Sequence, residues 1–123
     1  MRDRTPPPAL TAPSDTTLAE ILTWDEERLG AWGRAAGAGA SDWVLRLRER
    51  ALPLYGSDAA QARRIAECAL HLAARVHDPM ARGWAFRLMA EALLFSGRLS
   101  DSDRFYRRAA TAWRRAQRDL PPP

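Results

Sequence analysis

Residues 43 to 56 read WVLRLRERALPLYG, and residues 84 to 97 read WAFRLMAEALLFSG. Shifted by 41 positions, the two stretches coincide at Trp43/Trp84, Arg46/Arg87, Leu47/Leu88, Ala51/Ala92, Leu52/Leu93 and Gly56/Gly97. A shift of 40 continues the match downstream, pairing Ile65 with Phe105, Ala66 with Tyr106, Ala69 with Ala109, Leu72 with Ala112 and Val76 with Ala116. The connecting turn therefore differs by one residue between the copies. Self-similarity at this period marks a unit of two helices that has occurred twice, each copy needing a neighbour to bury its second apolar face.

Around the repeat, apolar residues recur at helical spacing and β-branched residues are scarce, which predicts an all-α chain. Side chains able to accept bonds from free first-turn amides mark the expected starts: Thr17 with Glu20, Ser41, Ser57, Asp78 followed by Pro79, and Ser100 with Asp103. RAAGAGAS at 34 to 41, the stretch from Pro53 to Gly56, and Gly97 mark the stops. The expected architecture is a short stack of antiparallel helical hairpins with about five helices: an N-terminal helix over about 15 to 33, a unit at 41 to 78 and a unit at 82 to 119. Proline-rich segments, 1 to 14 and 120 to 123, are expected to be tails because proline cannot continue a helix.

The second unit resembles a tetratricopeptide repeat through Phe86, Met89, Ala90, Leu93, Gly97, Leu99, Ser102, Tyr106 and Ala109, which follow that family's order of large, small and aromatic positions. The first unit departs from it at Arg46 and Glu49, where the family has apolar residues, and the closing proline of the second is absent. The extra length of the helices, with RVHDP at 75 to 79 and RRAQRD at 114 to 119, is similar to longer repeats of bacterial signalling and caspase-like CHAT proteins. The resemblance implies a protein-interaction scaffold, an adaptor or a piece of a larger bacterial signalling protein.

The same resemblance implies that the first helix of each unit lines a ligand groove. Trp84, Arg87, Glu91 and Leu94 would face it, with Trp43, Arg46 and Arg50 one unit earlier. Tryptophan and arginine there would favour an acidic helix or peptide. The alternative is that the N-terminal helix covers this face as core. A second surface is the arginine side of the last helix, Arg104, Arg107, Arg108, Arg114, Arg115 and Arg118, opposite its apolar side. It suits either a solvated outer face or a nucleic-acid interface; the interleaved aromatic residues of a base-stacking platform are absent. Self-association, with another copy covering the ends of a short stack, is a third reading.

Composition excludes several classes. The net charge is +4, and all 19 basic residues are arginine, so acidic partners are favoured at encounter. One cysteine, Cys68, allows no internal disulfide and no cysteine cluster for zinc; Cys68, His71 and His77 do not form a converging ligand set, and no metal or cofactor is expected. GAGAS at 37 to 41 lacks the lysine of a phosphate loop, and no nucleophile has a positioned base, so no enzymatic activity is expected. Without a secretory leader or a membrane-length apolar run, the expected setting is the cytoplasm.

Overall fold

The computed structural model describes residues 15 to 118, so the two proline-rich tails and the expected helix end at Asp119 lie outside the described residues. Among the described residues the fold is all-α, with no strand. Its helices are α1 (Asp15–Ile21), α2 (Glu26–Ala36), α3 (Ala40–Ala51), α4 (Ala59–Ala73), α5 (Pro79–Phe95) and α6 (Leu99–Arg118).

The N-terminal segment expected as one helix is two. Thr23 turns the chain, its amide and hydroxyl both donating to the Glu20 carbonyl, at 2.9 and 2.6 Å. Asp25 then takes an extended conformation and accepts the Arg28 amide at 2.8 Å, with Glu26 and Glu27 in the first turn of α2. Carbonyls freed by the break are collected by α4: the Arg64 guanidinium donates to Leu22 O at 3.0 Å and to Trp24 O at 2.9 Å. Thus the kink is a docking element, tied to the helix it covers.

Four other expected starts shift by short steps, among them Ser100, which lies inside α6 because that helix begins at Leu99. Thr17 lies within α1, and Ser41 within α3, which follows a single 3-10 turn at Gly37–Gly39. Asp58, not Ser57, caps α4 by accepting the Gln61 amide at 3.1 Å. Asp78 caps α5 as expected, accepting from Met80 at 3.0 Å, with Pro79 in the first turn.

The core runs between α4 and its neighbours. Ile65, Cys68, Ala69 and Leu72 of α4 are fully buried, with α2, α3 and α5 packed around them. Trp24, Trp32 and Trp43 form an edge-to-face chain, their ring centroids 5.7 and 4.4 Å apart. Helix α6 packs on α5, where Ser102 Oγ donates to Ala90 O at 2.8 Å. Gly83 permits this approach: a Cβ there would lie 2.3 Å from Trp113 Nε1.

The stretches aligned at 43 to 56 and 84 to 97 match in burial at their middles and differ at their turns. Leu47 and Leu88 are both fully buried, as are Ala51 and Ala92 to within a percent. Pro53, however, ends α3 at Ala51 in a 3-10 turn, so Leu52 is exposed while its counterpart Leu93 is buried. Gly97 closes α5 with φ +79°; its amide donates to Leu94 O at 3.1 Å and that of Arg98 to Leu93 O at 2.9 Å. No atom lies within 4 Å of a Cβ built on Gly97 or Gly56, but Gly56 does not adopt a positive φ. Gly97→Val is therefore expected to cost about 1–2 kcal/mol through backbone strain alone, and Gly56→Val much less. Urea denaturation of both variants checks this, and equal midpoints would remove the left-handed turn from the account.

Candidate interaction surface

Helix α5 packs against α3, α4 and α6 and still leaves large apolar side chains exposed. Leu88, Ala85, Met89 and Leu93 point into the core, while Gly83 and Ala90 meet α6. On the remaining side, at 100° per residue, fall Met80, Trp84, Arg87, Glu91, Leu94 and Phe95. Met80, Leu94 and Phe95 are exposed by 43%, 42% and 59%, large values for apolar side chains sharing one helix face.

A bonded framework underlies this strip. Arg48 of α3 donates to both carboxylate oxygens of Glu91, Nε to Oε1 at 2.9 Å and Nη2 to Oε2 at 3.1 Å. The hydrogen bond to Glu91 raises the Arg48 pKa against the opposing effect of burial. Its guanidinium also lies 5.5 Å from the Trp84 ring. Arg87 stands 5.7 Å from Trp84 and 5.9 Å from Trp113, two rings that meet edge to face at 5.4 Å. Tyr55 stacks beneath Phe95 at 4.9 Å, and burial pushes its phenol well above the usual tyrosine range. Buried polar atoms remain without a protein partner here: Arg87 Nε, Trp113 Nε1 and Tyr55 Oη.

Glu91 is only 12% exposed at its side chain, so replacing it strands a half-buried guanidinium. Glu91→Gln is expected to lower stability by about 2 kcal/mol, and Arg48→Met/Glu91→Met to recover part of that loss. Chemical denaturation of the two variants and of the single Arg48→Met change provides the comparison. A Glu91→Gln midpoint equal to the parent's would show that the pair holds nothing together.

The two halves of the sequence-predicted groove separate. Trp43 is 2% exposed and lies under Trp32, so the N-terminal helices cover it as core, whereas Trp84 stays partly open. Arg46 is exposed and paired with Glu49 at 3.2 Å, and Arg50 is exposed, whereas Arg48 is the arginine of α3 that bonds to Glu91 of α5. Glu91 is consumed by Arg48 and cannot greet a ligand as expected. Arg87 and Leu94 join the open strip. Arg48, Tyr55 and Trp113 join the site without being among its expected residues; the relative rotation of α3, α5 and α6 brings them there, Arg48 reaching across to Glu91.

The arginine side of α6 faces outward as read, with Arg104, Arg107, Arg108, Arg114, Arg115 and Arg118 all exposed. Arg107 pairs with Asp103 at 2.9 Å, and Arg108 lies 5.1 Å from the Phe105 ring. Between this helix and the start of α5 is a groove of about 440 Å³. Cys68 is buried, its thiol pKa raised by burial; His71 faces Glu26 at 3.8 Å, and His77 is exposed beyond α4. Among the described residues no three potential ligands converge on a metal position, and no helix is long and apolar enough to cross a membrane.

No known protein family, curated protein or solved structure matches this chain.

Proposed function

We propose that the chain is a tetratricopeptide-like interaction module that captures a helix or extended peptide of a protein partner on the open side of α5. The observation that carries this reading is that Met80, Leu94 and Phe95 are exposed on the side of α5 that also holds the half-buried Trp84 and Arg87. Apolar contact with a rigid aromatic and arginine cluster is the composition of binding hot spots. The framework below it is held by the Arg48–Glu91 pair, so little order need be gained on binding. Preference for an acidic ligand rests on Arg87, since Arg48 and Arg46 already have carboxylate partners.

The repeat relation of the two hairpins supports the family resemblance, and the reading contains no catalytic step. A cytoplasmic scaffold, on its own or within a larger bacterial signalling protein, is the setting that fits, with a lone buried thiol that needs no disulfide partner. Leu94→Arg places charge on the strip at an exposed side chain and leaves the Phe95 stack on the buried Tyr55 in place. Affinity capture should recover a partner with the parent and lose it at least about tenfold with this variant, while helicity and melting temperature stay unchanged. Equal recovery by both would overturn the proposal.

A further inference from the structure

The internal repeat supplies a second comparison. Along α4 and the turn that follows it, Cys68, His71, Leu72 and Arg75 lie beside the N-terminal helices: Cys68 Sγ lies 4.0 Å from Ile21 O, His71 faces Glu26, a Cβ on Gly33 would sit 1.8 Å from Leu72 O, and one on Gly30 would sit 3.1 Å from Arg75 Nε. A shift of 40 carries those positions onto Arg108, Thr111, Ala112 and Arg115 of α6. These four residues line the open groove of about 440 Å³, whose floor includes Phe86 and Pro79. The first unit carries helices beside these positions; the second carries none among the described residues.

Charge distinguishes what the empty position accepts. Arg82, Arg107, Arg108 and Arg115 line the groove against one carboxylate, Asp78, which already accepts the Met80 amide. Arg108 and Arg115 have no ion-pair partner among the described residues. The chain's own N-terminal segment, MRDRTPPPALTAPS, is basic and proline-rich and suits neither the shape nor the charge. A second copy brings a like net charge of +4.

We infer that the groove between α5 and α6 docks an acidic amphipathic helix of a partner protein, in the position on the second unit that α1 and α2 hold on the first. The apolar face of that helix rests on Phe86 and Ala112, and its carboxylates reach Arg108 and Arg115, where bidentate bonds fix its register. This surface lies on the other side of α6 from the Trp84 strip and is independent of it.

The probe is a synthetic capped peptide of about 18 residues, long enough for measurable helicity, with leucine and alanine on one face and glutamate on its flanks. Its binding to the full chain is followed by fluorescence anisotropy and by amide chemical shifts. Saturable binding is expected, with shifts concentrated at residues 82 to 86 and 108 to 115. Arg108→Glu/Arg115→Glu, a solvent-face change, should weaken it at least about tenfold, as should glutamine in place of the peptide's glutamates. Leu94→Arg should leave it intact, which separates failure here from failure of the α5 strip.

Four results would overturn the inference: no binding up to millimolar peptide; equal binding by the charge-reversed protein; shifts confined to the Trp84 face; or tighter, salt-sensitive occupancy of the groove by a single-stranded oligonucleotide. A parent dimer in sedimentation equilibrium that dissociates on the same charge reversal would likewise assign the groove to a second copy.

Discussion

Gly33→Ala is expected to destabilise the protein by about 3 kcal/mol or more, although alanine is the better helix former. Propensity alone would raise stability by about 1 kcal/mol, because Gly33 lies inside α2. Packing opposes it. The added Cβ would lie 1.8 Å from the Leu72 carbonyl oxygen and 2.7 Å from its carbon, and these are backbone atoms of a buried stretch of α4 that cannot rotate away. Helix α2 would have to lift, opening the contacts of Trp32 and Leu29 with the core. Gly30, one turn earlier, is the internal control: its nearest neighbour is the flexible end of Arg75 at 3.1 Å, so Gly30→Ala should be neutral or stabilising. Urea denaturation distinguishes the two. A Gly33→Ala midpoint at or above the parent's would contradict the close approach of α2 to α4.

Apolar and small residues at helical spacing made the helices readable: Leu47 and Leu88, and Ala69 and Ala109, are like residues 41 and 40 positions apart, and all four are buried. Asp78 and Gly97 were readable for a local reason, each satisfying backbone groups within its own turn. The break before α2 also carried a local signal, Asp25 followed by two glutamates, but continuous helical spacing of Leu18, Leu29 and Trp32 masked it. Trp43 and Trp84 show the limit. They are the same residue in the same register, yet one is capped by a segment outside the repeat and the other faces an open side. Nothing in the spacing of a helix states what lies across from it. The Arg48–Glu91 pair, separated by 43 positions, depended on the relative rotation of α3 and α5 and was illegible for the same reason.

Helices α1 and α2 are part of the core and close the Trp43 end, where Trp32 lies on Trp43. Ile21 and Leu29 are fully buried, and Trp32 nearly so, against α3 and α4. Removing them exposes Trp43, Cys68 and Leu72 together, an apolar area that two hairpins cannot otherwise cover. It also strips Arg64 of the carbonyls of Leu22 and Trp24. The most direct test is a thermal melt, followed by circular dichroism, of the chain lacking residues 1 to 40. The account predicts strongly reduced helicity or aggregation, with no cooperative transition. A cooperative melt unchanged from the parent's would show that the N-terminal helices lie outside the core, and would reopen the Trp43 face as a groove.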